Sequence, residues 1–452
     1  MFKIKLKLFY FESFCNYIKT VKQIMNLSVG FVTILEILPR EDWCRTWPAD
    51  RTIMLRMTSK RVNDAIDKIK PPTIISFNYS WWNNYKIKIA KKQELMIIYL
   101  SEISTKNIIV SLKICNIELF YENAPWIISL VTTINNASTI TNIILANCKI
   151  GIRGVTAFSS FFNNFKELTH LNICHNNIGP DGTKIVAKAL ENCLFLSHID
   201  LSWNRIGNNG ADSLANVIAL LKIKHLNLSG NCIHLQGFNK ITKALSNNPV
   251  LQFLDFSWNY IEYNGVLSLA TLLALVKLKY LNLSGNTIDN RGIEKLAIAM
   301  LNYPVIEHIN FNDIQIGLNG VNSLATLLIQ SSYLKYLELC CNQFYDIGIE
   351  KLAPVLGQCT SLIHLNLADN RIGNTGVNKL SITLSKSTRL MHLDLSFNKI
   401  GSEGAESIAR MIEQCSTLIH LDLRSNEGKE CFNKVQPVLL ALHPVSKLNV
   451  LF

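Results

Sequence analysis

Histidine and an acidic or amide residue recur two positions apart through most of the chain: His364 with Asn366, His392 with Asp394, His420 with Asp422. Alternate residues of a β-strand point to one face, so each pair would present both side chains to the same side. Two chemistries use such a pair: a carboxylate can orient a histidine acting as general base, or both can ligate zinc. Seven of the ten histidines (His170, His198, His225, His308, His364, His392 and His420) fall in one column, which Phe253, Tyr280 and Tyr336 complete. Two residues on stand Asn172, Asp200, Asn227, Asp255, Asn282, Asn310, Glu338, Asn366, Asp394 and Asp422. The best metal candidate is the run His364, His392, His420 beside Asp394 and Asp422. Neighbouring strands would hold these side chains about 5 Å apart, whereas zinc draws its ligands to about 2 Å. No Ser or Cys keeps a constant offset from the histidines, and no P-loop, HExxH, GxSxG or GxGxxG stands in context. We therefore expect no catalytic residue, no bound metal and no cofactor.

The element that positions these columns is a repeat. The pattern L-x-x-L-x-L-x-x-N-x-I-x-x-x-G begins at residues 140, 168, 196, 223, 251, 278, 306, 334, 362, 390 and 418, at intervals of 27 or 28 residues. A truncated twelfth strand starts at Val445. Leu393 and Leu395 alternate with exposed positions, as in a short strand. Asn398 follows, where its side chain can bond backbone groups of the neighbouring coil. Gly404 suggests a tight entry into a helix, on which Ile408, Ala409 and Ile412 share one face. Strands stack about 4.8 Å apart and helices about 8–10 Å apart, so the array must curve with its strands inside. Residues 196–250 and 251–305 share 28 of 55 positions, which marks a duplicated pair of repeats. Cys148 and Ile314 replace the asparagine, and the Ile314 coil should be locally irregular.

Residues 140–452, as eleven repeats and a terminal half repeat, resemble leucine-rich repeats of the ribonuclease-inhibitor subtype. The same repeat occurs in NOD-like receptor arms and in Ran GTPase-activating proteins. The resemblance implies an α/β fold: a curved solenoid with parallel strands on the concave face, helices on the convex face and a mainly helical N-terminal cap. It implies a non-enzymatic scaffold that binds a protein partner on the concave face. The residues that break the pattern are the candidates for specificity. Trp203, Trp258 and Phe397 stand at the strand exit, alternating with Gly230 and Gly285; Phe253, Tyr280 and Tyr336 stand nearby, beside His364, His392, His420, Asp394 and Asp422. Two other readings stay open: GTPase activation of the Ran-regulator type, for which no catalytic Arg can be placed by motif and no acidic tail follows Phe452, and immune or host-interaction regulation.

Residues 1–107 do not fit the repeat, and 108–139 read as a degenerate capping repeat, with TIISF (73–77) and IIVSLKI (108–114) as irregular capping strands. Asp50 can cap a helix over 51–70 that Pro71 and Pro72 end. With ILEILPRED before it, the segment 34–70 resembles an F-box, in Leu38-Pro39, in Leu55-Arg56 and in Ser59-Lys60-Arg61. It departs from that pattern in its length, in Val62 where an aromatic is usual, and in CRTWPAD, which lacks the apolar middle helix. Either it only caps the solenoid's open core, or it docks a Skp1-type adaptor through Leu38, Pro39, Leu55 and Val62, and the solenoid selects substrates for ubiquitination.

The net charge of +12 is uneven: residues 1–107 carry 18 Lys and Arg against 9 Asp and Glu. These lysines are scattered and lack a base-stacking motif, so nucleic acid is not an expected partner. Glu122 and Lys149 bracket an uncharged stretch, yet Asn135, Asn136, Asn142 and Asn147 make it a poor lipid-facing helix, so no membrane is expected. Of twelve cysteines, Cys193, Cys359 and Cys415 share one repeat position suited to a buried thiol, and no CxxC pair exists. The N-terminus breaks its apolar residues with lysines and is not a secretory signal. Together these point to a cytoplasmic protein.

Overall fold

The computed structural model describes residues 33–35, 73–78 and 109–115, and 140–451 apart from 163–164, 302–304, 428–432 and 438–447. One open sheet of fifteen strands runs through them in chain order, and every neighbouring pair is parallel. It opens with β1 (Thr33–Leu35), β2 (Thr73–Asn78) and β3 (Ile109–Cys115) and ends with β15 (Asn449–Leu451). Both expected capping strands are therefore β2 and β3, in line with the repeats. The helix expected over 51–70 lies outside the described residues, as do Leu38, Pro39, Leu55 and Val62.

From residue 140 each coil is strand, turn, helix. The strands are mostly three residues long, and ten helices of 10–13 residues, from Gly151–Phe162 to Ser402–Gln414, return the chain along the outside. In one coil Leu390, Leu393, Leu395 and Ile400 are buried from the strand side, and Ile408 and Ile412 from the helix side. Coils repeat this column for column, so the buried residues form one continuous core from Leu112 to Val435. Burial of a Leu or Ile stabilises by roughly 1.5–3 kcal/mol, and each coil covers the next. Cys193 and Cys415 are buried and Cys359 partly so, and burial pushes the thiols of Cys193 and Cys359 up to about 11.

The asparagines form the expected ladder. Asn204 Nδ2 donates to the carbonyls of Ile173 (2.9 Å), Leu201 (3.0 Å) and Ser202 (3.1 Å), and its Oδ1 accepts the Asn176 N–H at 3.0 Å. Turn backbone of two coils is thus bonded by one side chain, and Asn231, Asn259, Asn342 and Asn370 repeat the pattern. At the start of the ladder the Cys148 N–H bonds Asn176 Oδ1 at 2.9 Å and its thiol bonds the Ala146 carbonyl at 3.3 Å.

One expectation holds in its loop but not in its strand, and one needs correction. The Ile314 coil keeps its strand register with both neighbours, so the sheet is regular there. The irregularity is in the loop: its helix begins at Val321, fifteen residues after Ile306, whereas the flanking helices begin at Asp289 and Tyr345, eleven residues after Leu278 and Leu334. The recurrent glycine does not make the entry to the helix. Gly210 is already inside the helix Gly207–Ile218, where a Cβ would come within 2.7 Å of Ile206 Cγ2 and 3.1 Å of Thr183 Cβ. At Gly210, as at Gly265 and Gly292, a Cβ would strike first the isoleucine four residues earlier in its own coil and next a residue of the preceding coil.

Removing one rung should be costly. Asn204→Ala strands the buried Asn176 N–H and removes one of two donors from each of the Ile173, Leu201 and Ser202 carbonyls, at about 1–3 kcal/mol for the group left unpaired. A denaturant-midpoint shift equivalent to about 2 kcal/mol is expected; a loss below about 0.5 kcal/mol would show that the rung is not structural.

Candidate functional site

The histidine column becomes a stack of ten rings along the concave face. His170 and His198 lie 4.0 Å apart between centroids, His225 and Phe253 3.6 Å, and Phe253 and Tyr280 3.9 Å. Towards the other end the spacing opens to 5.8 Å for His364–His392 and 5.9 Å for His392–His420, with the planes tilted. Hydroxyls fix the first two imidazoles, Thr169 Oγ1 at 2.8 Å from His170 Nδ1 and Ser197 Oγ at 2.9 Å from His198 Nδ1.

Stacking changes the charge these rings can carry. Burial disfavours the imidazolium, and a charged neighbour disfavours it again. Burial lowers His170 and His308; burial, then His170 and Lys224, lowers His198; and burial, then His364 and His420, lowers His392. His225 falls to about 4, through burial first and His198 next, against a weaker pull from Asp200. Burial also pushes the Tyr280 hydroxyl up to about 12. The middle of the stack is a neutral, half-buried surface at neutral pH.

The acidic and amide column is occupied in closing the turn after each strand. Asp394 Oδ1 accepts the Ser396 N–H at 2.9 Å, and Asp255 Oδ1 accepts both the N–H (2.9 Å) and hydroxyl (2.6 Å) of Ser257. Asp422 takes the Arg424 N–H at 3.0 Å and its guanidinium at 2.5 Å. Burial works to raise the Asp422 carboxyl, but the Arg424 bonds outweigh it and hold it below the usual range. A two-residue reach suits Asp and Asn. Glu338, one methylene longer, leaves this role: the Cys340 N–H bonds Asn312 Oδ1 at 2.6 Å instead. Its carboxylate meets Asn366 Nδ2 at 2.7 Å and stands 2.8 Å from His364 Nε2 without the alignment of a hydrogen bond. The imidazoles of His364, His392 and His420 run side by side, and Asp394 and Asp422 face their own turns. Among the described residues no three His, Cys, Asp or Glu side chains gather closely enough to hold a metal.

Trp203, Trp258 and Phe397 share one column at the strand exit, about half exposed, each with a positive φ of 54–57°. Every coil from Asn147 to Ser425 is left-handed at this position, a conformation that favours Gly, Asn and Asp. Each tryptophan lies over the glycine of the next coil. A Cβ on Gly230 would stand 2.5–2.8 Å from the Trp203 ring carbons, and one on Gly285 2.6–3.1 Å from those of Trp258. His175 stacks on Trp203 at 5.5 Å. The alternation of SWN with SGN in the sequence is thus a lock between coils that still leaves the indoles open to solvent. Sequence reasoning missed the exposed stack of His234 on Tyr260, at 4.5 Å, because neither residue belongs to a repeat column.

Seven segments, 167–184, 192–215, 220–241, 247–270, 275–297, 358–381 and 386–409, match the family described as Leucine Rich repeat. The fold is a leucine-rich-repeat solenoid. The stretch of the solenoid left unmatched between 297 and 358 contains the Ile314 coil. An internalin (inlF) from Listeria monocytogenes is 20% identical over 80% of this chain and 94% of that one, with a TM-score of 0.45. A chain of the yeast Rad7–Elc1 complex is 15% identical over 84% of this chain and 94% of that one, with a TM-score of 0.47. No curated protein matches the sequence.

The ring stack gives the solenoid a pH dependence of definite sign. The His225 pKa is lower folded than unfolded, so between about pH 6.5 and 4 the unfolded chain binds the extra proton. Stability should therefore be lost as the pH falls through that window. His225→Phe, which copies Phe253, should reduce the fall in melting temperature between pH 7 and 4; equal slopes for both proteins would refute the neutral stack.

Proposed function

We propose that the protein is a non-enzymatic interaction scaffold, cytoplasmic in location, that holds a protein partner against the concave face. The observation that carries this reading is the open rim of Trp203, Trp258 and Phe397 beside a neutral ring stack. Large, half-exposed aromatics next to desolvated, uncharged surface are the usual anchors of protein interfaces. Tyr336, the most exposed ring of the stack, and His364, His392 and His420 extend the same surface. Asp394 and Asp422 border it as turn-closing residues. Among the described residues no disulfide forms, and no helix is long and apolar enough to cross a membrane. Both observations support the location without fixing it.

The aromatic rim can be removed at modest cost to the fold: the inter-coil contacts of Trp203 and Trp258 are lost, but glycine suits the left-handed position, as in the neighbouring coils. Trp203→Gly with Trp258→Gly should stay folded, with a melting temperature lower by only a few degrees, and lose at least about tenfold in affinity for a captured partner. Tryptophans are frequent hot spots worth 2 kcal/mol or more. Unchanged affinity would move the binding surface elsewhere.

The adaptor reading adds a second partner. We propose that Leu38, Pro39, Leu55 and Val62 dock a Skp1-type adaptor while the solenoid selects the substrate; the support is the Leu-Pro and Leu-Arg…Ser-Lys-Arg resemblance in the sequence. Leu55→Asp should abolish adaptor co-purification and leave partner capture intact. Absence of adaptor binding by the parent chain would leave residues 1–107 as a cap. Stimulation of GTP hydrolysis on a Ran-like GTPase would overturn both scaffold readings.

A further inference from the structure

One edge of the solenoid, where each helix runs down into the next strand, carries an apolar strip that the core does not use. Leu194 and Phe195 are 66% and 62% exposed, Leu220 65%, Leu275 56%, Ile329 53% and Tyr333 59%. Each lies in the last turn of a helix or in the loop after it, so all sit on the same edge. From Leu194 to Tyr333 the strip spans five coil intervals, about 25–50 Å at the strand and helix spacings, and is interrupted by Ser246 and Asn247 in the coil between Leu220 and Leu275.

The backbone explains what stands beside these tips. Each loop enters its strand in an extended form, so alternate residues face in and out. Leu221 and Ile223 are buried, while Leu220, Lys222 and Lys224 are exposed; Val276 and Leu278 are buried, while Leu275, Lys277 and Lys279 are exposed. Among the described residues Lys222, Lys224 and Lys277 form no ion pair; Lys279 shares Glu307 with Lys335. At two places on the edge a leucine is thus followed by an exposed lysine of its own coil and another at the start of the next.

We propose that this edge rests on an anionic lipid surface, its apolar tips in the headgroup layer and its lysines on lipid phosphate and carboxylate groups. The composition decides against the other anionic occupants. Protein interfaces are depleted in lysine, and leucine is rare among their hot spots. Nucleic-acid contacts use cations and hydrogen-bonding groups and have no use for a row of leucines. Apolar side chains interleaved with lysine, with Phe195 and Tyr333 at the ends, are what the bilayer interface selects. The edges of a solenoid of this kind lie in the plane of its curve, so many coils can touch a flat surface at once. The inference rests on the fold alone and is independent of the concave-face reading. Span length gave no sign of it, because the pattern lies across coils rather than along one helix.

Co-sedimentation of the full chain with phosphatidylcholine–phosphatidylserine vesicles tests this, with phosphatidylcholine alone for comparison. The parent chain should bind the mixed vesicles preferentially. Lys222→Glu with Lys277→Glu should reduce that binding by about tenfold or more, and Leu220→Ser with Leu275→Ser by several-fold. All four sites are exposed, and an unchanged melting temperature will verify folding. Two results would overturn the proposal: no vesicle binding by the parent chain, or parental binding by both variants, which would assign the effect to the basic residues of 1–107. Equal loss of binding to vesicles and to a double-stranded oligonucleotide would mean general anion capture and would also overturn the lipid assignment.

Discussion

The structure depends on what happens at the end of each short strand. A three-residue strand leaves the turn that follows with carbonyls and N–H groups that no helix or sheet can pair. The side chain of Asn204 reaches three of those carbonyls in two coils and accepts an N–H from the coil before. Because the bonds cross between coils, one coil cannot be satisfied alone, and the array is obliged to stack in register. The ring stack, the turn-closing acids and the aromatic rim are each a consequence of that register, since it brings the same position of every coil into line.

Alignment of like residues has an electrostatic cost, and the sequence is arranged to limit it. Seven histidines in one file would repel if charged, and burial keeps those in the middle neutral. Phe253 and Tyr280 interrupt the file where packing is tightest, between His225 and His308. In the neighbouring column acids alternate with amides from Asn172 to Asn282: Asn172 donates to Asp200 at 3.1 Å, and Asn282 to Asp255 at 2.9 Å. An amide between carboxylates turns a repulsion into a hydrogen bond. The same column supplied the metal candidates Asp394 and Asp422, and their oxygens are engaged with Ser396 and Arg424.

The fold was legible because its signals are periodic: leucines fix the strands, asparagines the turns, and small helix residues the outer layer. The candidate surface was legible as a set of columns, since position in the repeat determines which side chains face inward. What one coil's sequence does not carry is contact between unlike positions. The indole of Trp203 on Gly230 and the imidazole of His234 on Tyr260 depend on side-chain direction across coils. The role of the recurrent glycine also needed the packing to be seen: Gly210 is constrained by the side chains of Ile206 and of Thr183 in the preceding helix, not by its own backbone conformation. A cue for the left-handed column was present in Asn147, Gly230, Gly285, Asp313 and Asp369, residue types that share a tolerance for positive φ.

Ile314 divides the ladder. Rungs run without a break from Asn176 to Asn286 and again from Asn342 to Asn426, but between them a buried isoleucine offers no oxygen to the coil before it. Apolar packing, strand pairing and the backbone bonds of the turns, such as Gly285 N–H to Asn312 and Asp289 N–H to Ile314, are continuous across this point; only the side-chain rung is missing. In a linear array, cooperativity is the sum of nearest-neighbour couplings, so the weakest junction sets where a melting front halts. The seventh repeat, short of one side-chain rung, is therefore the least strongly tied coil between Asn176 and Asn426, and the others are tied by both backbone and side chain.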